Sequence, residues 1–261
     1  PRRAAGGPAS AAGGNRRPGA PLRRGPITRP LLQWPGGKWR LGPWITSFLP
    51  PHTIYVEPFG GAASVLLQKE PCAREVYNDL DEDLVNLTRV LQSEVSAEEL
   101  RAQLIRTPFA KVEFEKAFGD DVEDAVERAR RLIVRSFMGH GPSGAVMRKR
   151  TGFRYRAPGA RTRAAKDWAK YPDELRHAAE RLRDVEVENT EAVPLMLRLD
   201  GPRTLFYVDP PYLPATRSAA TYYRHEMGIE QHAELLAVLR RLQGMVVLSG
   251  YPSDSYDRML A

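Results

Sequence analysis

The sequence predicts an α/β protein built on a doubly wound, mostly parallel sheet. Three observations predict it. Short runs rich in β-branched and aromatic residues alternate with longer segments of helical apolar period. Several of those short runs stop at an acid, a proline or a glycine, as strands do when they lead into ligand-binding loops. No internal repeat and no apolar stretch of membrane-spanning length offers another architecture.

Residues 1–30 are rich in Pro, Gly, Ala and Arg and poor in large apolar side chains, which predicts a disordered basic tail. The tail lacks the apolar core of a secretory signal, and the chain opens on Pro1 rather than methionine, as after processing or cutting. From Leu31 the pattern becomes globular. Ile54 to Glu57 reads as a strand, Pro58 to Gly61 as a turn, and Ala62 to Lys69 as a helix. Glu75 to Asp79 reads as a second strand. Leu84, Leu87, Val90 and Leu91 mark the apolar face of a helix, and Ser96 with Glu99 reads as the capping box of the next. A longer helix is expected from Asp120 to Met138. Residues 139–171 have no clear period: Phe153, Tyr155 and Trp168 stand among Arg148, Lys149, Arg150, Arg154, Arg156, Arg161 and Arg163, so this stretch is expected to pack poorly without a partner. Helix is expected again at 172–183, 191–199, 230–242 and 253–260, with strands at 185–189, 204–208 and 245–249. The pattern divides the chain into a tail (1–30), one α/β domain (31–105 and 172–261) and a largely helical insertion (106–171). In such a sheet the loops after Glu57, Asp79, Asn189, Val208 and Ser249 share one edge, where ligands bind.

The composition narrows the function classes. A single cysteine, Cys72, excludes a disulfide framework and a cysteine-rich metal site, and the five histidines are scattered, so no metal is expected. A reducing, intracellular setting fits this composition. The formal net charge of +7, carried mostly by arginine, suits a polyanionic partner, although part of the excess lies in the tail. Cys72 follows Pro71, a pair that also occurs at a cytosine-C5 nucleophile. Its place between the glycine turn and the second strand makes it a core filler.

The most informative segment is Asp209-Pro210-Pro211-Tyr212 at the end of the Thr204 strand. The two prolines stiffen the loop and remove two amide donors, leaving bare carbonyl acceptors. Asp209 adds a second acceptor and Tyr212 a flat face. Two acceptors beside a stacking surface suit the exocyclic amino group of a flipped-out base. Upstream, Phe59-Gly60-Gly61-Ala62-Ala63 follows the first strand, where glycines let a ligand approach the backbone. Asp79 ends the next strand, a position suited to binding ribose hydroxyls. Together these features indicate a nucleoside-containing ligand without separating a dinucleotide from S-adenosylmethionine. The stretch Trp34-Pro35-Gly36-Gly37-Lys38 is not a phosphate-binding loop, because Trp39 stands where Ser or Thr is required.

In this order, Trp34-Pro35-Gly36-Gly37-Lys38, Glu57-Pro58-Phe59-Gly60-Gly61, Asn78-Asp79 and Asp209-Pro210-Pro211-Tyr212 resemble the motifs of the Dam-like DNA adenine-N6 methyltransferases, more narrowly their phage and prophage branch. The resemblance runs from about Leu31 to the C-terminus. It implies a Rossmann-like methyltransferase sheet, S-adenosyl-L-methionine as cofactor, and double-stranded DNA as partner. The cofactor contacts it implies come from Trp34, Gly37, Lys38, Glu57, Phe59, Gly60, Gly61, Asp79, Leu80, Asn189, Thr190 and Asp209. Phe59 and Gly61 would line the methionine end, Asp79 the ribose, and Leu80 and Thr190 the adenine. The catalytic set is Asp209, Pro210, Pro211 and Tyr212: the Asp209 carboxylate and Pro210 carbonyl accept the two N6 hydrogens, and Tyr212 stacks on the base. The insertion becomes the candidate target-recognition region, with Arg148, Lys149, Arg150, Arg154 and Arg156 as its DNA contacts. Tyr222 to His225 are candidates to close over the flipped nucleotide. The resemblance also implies a cytoplasmic enzyme of a bacterium or phage, and leaves room for a cognate restriction endonuclease.

Two departures stand out. Ala63 replaces a glycine, which is harmless if that residue is already helical. The family continues past the last helix into an antiparallel strand pair, so those C-terminal strands are expected to be missing here. Two alternatives remain open from the sequence: an RNA adenine-N6 methyltransferase, or a truncated, catalytically silent homologue that binds DNA. Cytosine N4 is a further target of the same acceptor chemistry.

Overall fold

A computed structural model describes residues 27–119, 122–141, 151–155, 164–213, 223–251 and 254–260. Five strands form its sheet: β1 (Ile54–Glu57), β2 (Arg74–Asn78), β3 (Glu186–Glu188), β4 (Thr204–Val208) and β5 (Met245–Leu248). Their spatial order is β3-β2-β1-β4-β5, and every pairing is parallel. The register aligns Val56 with Val76 on one side and with Phe206 on the other. All of β4 is buried, which explains its unbroken apolar sequence: a parallel strand covered on both faces has no polar side to show.

Alternation along the strands sorts the core into two layers. Tyr55, Tyr77, Leu205 and Tyr207 face one cluster, packed by α2 (Glu82–Gln92), α3 (Glu94–Arg106), α5 (Ala125–Met138) and α6 (Ala164–Leu182). Val56, Val76, Phe206 and Val208 face the other, packed by α7 (Ala192–Leu199), α8 (Ile229–Leu239) and α9 (Asp254–Leu260). Two short helices complete the described set: α1 (Gly42–Thr46) before β1, and α4 (Lys111–Lys116) before α5. From β1 the chain winds outward through β2 and β3, then returns to place β4 against the other side of β1. The crevice at the carboxyl ends of β1 and β4 is therefore a topological switch point, where doubly wound sheets bind ligands. None of the described helices is long and apolar enough to cross a membrane.

Several expectations change. The tail is ordered by its last residues: Ile27 packs against the core, Thr28 Oγ1 donates to Glu174 at 2.9 Å, and Arg29 Nη1 donates to the Asp167 carbonyl at 3.0 Å. Residues 1–26 lie outside the described set. Ala62 to Lys69 forms successive turns rather than a regular helix, because the Glu57 carboxylate accepts the Leu66 N–H at 2.7 Å and so diverts a ladder bond. The cap of α3 is Ser93, which accepts from the Ser96 N–H, so that helix starts earlier than Ser96. Asp124 caps α5, which starts later than expected. The region read as unpacked contributes aromatic residues to the core among its described residues. Trp168 and Tyr171 are buried on α6, a helix that runs through residue 172 with Pro172 inside it, and Phe153 packs against Phe109 and Phe114. Among the described residues β5 pairs with β4 alone and forms one edge of the sheet.

Candidate active site

One cavity of roughly 630 Å³ opens at the switch point. Its wall takes Trp34 to Lys38 from the turn before α1, Glu57 to Gly61 from the β1 loop, Asp79 to Asp81 from the β2 loop, and Glu191 to Pro194 at the start of α7. Tyr207, Asp209 and Pro211 come from β4 and its loop, and Tyr223 to Met227 from the segment before α8.

At one end stands Asp79. Its Oδ2 accepts the Gly61 N–H and its Oδ1 the Asp81 N–H, both at 2.8 Å. Burial pushes its pKa up to about 6, against the pull of those two backbone donors. The glycines beside it are required by the turn itself as well as lining the cavity. A Cβ on Gly60 would lie 2.2 Å from the Tyr77 ring, and Gly61 holds φ +50° with the Trp34 indole 3.3 Å from where its Cβ would be. Ala63 is not helical: it sits at φ +52°, the left-handed region that a side chain disfavours.

Glu57 lies between the two ends. It is buried, accepts from the Tyr55 hydroxyl at 2.8 Å as well as from Leu66, and burial raises its pKa to about 8, so it is neutral near pH 7.

At the other end Lys38 Nζ donates to both oxygens of Asp209, at 2.6 Å to Oδ2 and 2.8 Å to Oδ1, and to the Gly36 carbonyl at 2.7 Å. Burial alone would lower the Lys38 pKa, but the Asp209 charge reverses this and leaves it raised. Burial raises the pKa of Asp209, and Lys38 offsets only part of that rise. The Lys38 ammonium also lies over the Tyr212 ring, 5.0 Å from its centroid. Tyr212 is braced twice: its hydroxyl is 2.9 Å from Ser249 Oγ just past β5, and its ring meets Tyr251 edge-on at 5.0 Å.

Of the cofactor residues expected from sequence, Trp34, Gly37, Lys38, Glu57, Phe59, Gly60, Gly61, Asp79, Leu80 and Asp209 all line the cavity. Asn189 and Thr190 do not. They tie the β3 loop to β2, with the Asn189 amide donating to the Asp79 carbonyl and Thr190 N–H donating to Asn78 Oδ1, and the wall passes to Glu191 and its successors. Pro210 and Tyr212 stand beside the cavity wall rather than in it. Of the expected DNA contacts, Arg148, Lys149, Arg150 and Arg156 lie outside the described residues, as does Tyr222. Arg154 follows an antiparallel bridge between Gly139 and Phe153, and its backbone N–H donates to the Met138 carbonyl at 2.7 Å.

Sequence reasoning gave little account of one wall. The segment Tyr223 to Met227 lies against the cavity, and Arg224 fastens it, donating to Asp81 at 3.1 Å and to Asp83 at 3.2 Å. Tyr223 Oη donates to the Pro35 carbonyl at 3.2 Å. Asp83 also receives Arg128 and Arg135 of α5, so the same acid joins this wall to the helical region. Only the basic and aromatic character of Tyr222 to His225 hinted at a role; the acids that Arg224 meets are 143 and 141 residues away in sequence, and the carbonyl that Tyr223 meets is 188 away.

A family model of the D12 class N6 adenine-specific DNA methyltransferases matches residues 34–256, which takes in every wall of this cavity. The chain belongs to that family. Among its relatives, the DNA adenine methylase of Escherichia coli K12 is 26% identical over 218 residues, covering 82% of this chain and 76% of that protein. The DNA adenine methylase of Salmonella typhi is 25% identical over 219 residues, with the same coverage. The type II methyltransferase M.MjaIII of Methanocaldococcus jannaschii is 25% identical over 260 residues, covering 88% of this chain and 87% of that protein. As a D12-class enzyme the chain is an adenine-specific DNA methyltransferase that acts on DNA and needs a methyl donor.

Proposed function

We propose that this chain methylates the N6 amino group of an adenine flipped out of duplex DNA, with S-adenosyl-L-methionine as donor. The observation that carries the reading is Asp209. It stands at the carboxyl end of β4, on the cavity whose other end holds Asp79, with Pro210 and Tyr212 fixed beside it.

The cavity suits the donor in size and in chemistry. Roughly 630 Å³ is ordinary for a nucleoside-sized ligand. Each Asp79 oxygen accepts one backbone N–H and keeps a lone pair for a ribose hydroxyl. The buried Tyr207 hydroxyl, with Ser249 beside it, adds a polar group to the wall. Bound there, S-adenosylmethionine supplies a methyl group already activated by its sulfonium.

The protein's own part is alignment. The adenine N6 lone pair is delocalised into the ring and is a poor nucleophile. Asp209 and the Pro210 carbonyl accept the two N6 hydrogens, which favours a pyramidal nitrogen with its lone pair localised. Tyr212 offers a ring face to the extruded base and offsets part of its lost stacking. Holding both partners in line supplies most of the acceleration. The DNA itself is gripped, on this reading, by the region between α4 and α6, of which Arg154 is a described basic residue. The bridge between Gly139 and Phe153, with Phe153 packed on Phe109, fixes the described part of that region to the core.

Transfer of labelled methyl to mixed-sequence duplex DNA, followed by mass spectrometry of the nucleosides, tests the proposal. Label in N6-methyladenine is expected. Label in N4-methylcytosine, or in structured RNA but not DNA, would overturn it.

A further inference from the structure

We propose that Lys38 is a positioning residue for this reaction: by clasping one side of the Asp209 carboxylate it keeps that acid ionised, with acceptor sites open to the target amine, inside an enclosed site. This rests on the adenine-N6 reading above and gives Lys38 a task different from contact with the cofactor.

The geometry is specific. Three donors are all that an ammonium has, and Lys38 spends them on Asp209 Oδ1, Asp209 Oδ2 and the Gly36 carbonyl. A carboxylate offers about four lone-pair positions; Lys38 takes two on one side, and an incoming N–H shares the other side with the Ser249 and Tyr212 hydroxyls. The Lys38 and Asp209 side chains are only 11% and 17% exposed, so water contributes little to holding the charges. The Gly36 carbonyl is aimed by a turn that only glycine suits: φ is +68°, and a Cβ there would stand 2.6 Å from the Tyr223 hydroxyl. Lys38, its carbonyl anchor and the Tyr223 wall therefore form one assembly.

The chemistry calls for such a partner. A carboxylate removed from water without compensation takes up a proton. A protonated Asp209 would point a donor at the amine in place of an acceptor and undo the alignment of the lone pair. Each element around Asp209 contributes a facing group. Lys38 comes from the turn before α1, Glu57 from β1, Tyr207 from β4, Tyr212 from the same loop, and Ser249 from beyond β5. Burial raises the Glu57 pKa to about 8 and the Tyr207 pKa as well, which favours the neutral form of both. Lys38 is the cation among these groups. Burial raises the Asp209 pKa even with Lys38 in place, so removing Lys38 would raise it further.

The experiment is the pH dependence of single-turnover methyl transfer by the native protein, Lys38→Arg and Lys38→Met, with cofactor affinity measured alongside. Lys38→Met is expected to move the acid limb to higher pH, lowering the rate on the acid side by about tenfold for each pH unit moved, with recovery at more alkaline pH. Lys38→Arg keeps the limb near its native place, and cofactor affinity changes by less than about threefold in either variant. A uniform loss of rate with no movement of the limb would overturn the proposal, as would a loss confined to cofactor affinity.

A second measurement needs no turnover. In Lys38→Met the raised Asp209 pKa makes folding stability fall as pH rises from the unfolded-state value of about 4 towards the raised one. Glu57 and Asp79, raised by burial, contribute a fall of the same sign, so the readout is the extra fall that Lys38→Met adds to the native curve. Asp209→Asn should abolish that extra fall, and if it persists in the double variant the pairing is wrong. If the native protein methylates no DNA while this cycle holds, the adenine-N6 reading has failed and the Lys38–Asp209 coupling has not.

Discussion

The two ends of the cavity present the same functional group in opposite settings. Asp79 is held by neutral backbone N–H groups, one from its own loop and one from Gly61, 18 residues earlier. Asp209 is held by a full positive charge on a side chain 171 residues away. The first arrangement is made largely by a local turn and leaves the carboxylate able to titrate near pH 6. The second exists only because the sheet brings two distant loops together, and the cation keeps the acid charged. Fixed dipoles suit a group that recognises a ligand, while a paired charge suits a group that must stay an acceptor during reaction.

The sharpest way to break this contrast is Asp209→Asn. It is expected to slow methyl transfer by about 10²–10³-fold, a loss of the size seen when a positioned polar group is removed from an active site, with cofactor affinity within about threefold of native. Single-turnover rates beside calorimetric titration would show it, and an equal loss of affinity would mean that the two ends do not act separately. The Lys38 series described above comes next, at about tenfold on the acid side for each pH unit the limb moves.

Asp79→Asn should do the reverse. Losing a charge-assisted hydrogen bond worth ~1.5–3 kcal/mol weakens cofactor binding by about ten- to a hundredfold, with the saturated rate changed far less. The same carboxylate sets a pH dependence. It accepts ribose hydroxyls best when ionised, so native affinity should fall as pH drops through about 6, and the variant should be flat across that window.

Arg224→Gln tests the wall that leans on both ends. Its side chain is 31% exposed, so the pair is partly screened; a loss of ~0.5–1 kcal/mol, about two- to fivefold in cofactor affinity, is expected and should shrink in high salt. An unchanged affinity at low salt would make the ties to Asp81 and Asp83 incidental. The smallest effect expected is at Ala63. Glycine there relieves ~1–2 kcal/mol of left-handed strain. The greater freedom of the unfolded chain offsets ~0.5–1 kcal/mol of it. Thermal unfolding should therefore show a modest gain for Ala63→Gly, and a loss would mean that the buried methyl matters more than the backbone.

Much of the fold and part of the site were legible in the sequence. The β1 and β4 strands were readable because β-branched and aromatic runs ended at Glu57 and Asp209. The convergence of Glu57, Asp79 and Asp209 followed from parallel strands having their carboxyl ends on one edge. The glycines of the β1 loop were legible as a turn, but their reason was not: the Tyr77 ring that excludes a Cβ at Gly60 comes from the neighbouring strand. The turns after Gly61 read as a helix because nothing local reveals that Glu57 captures the Leu66 N–H. The packed state of Trp168 and Phe153 was hidden because their partners, Thr107, Phe109 and Phe114, belong to a preceding stretch with which they share no period.

What the sequence determined by itself is the set of parts and their order: strand ends that carry acids, turns that need glycine, and a rigid proline loop with an aromatic face. These follow from steric preference and apolar period, which act over a few residues. The tertiary structure alone decided which charge meets which. Lys38 reaches Asp209, Arg224 reaches Asp81 and Asp83, and Arg29 reaches the helix of Asp167, because Coulomb pairing depends on distance in space and chain position carries no information about it.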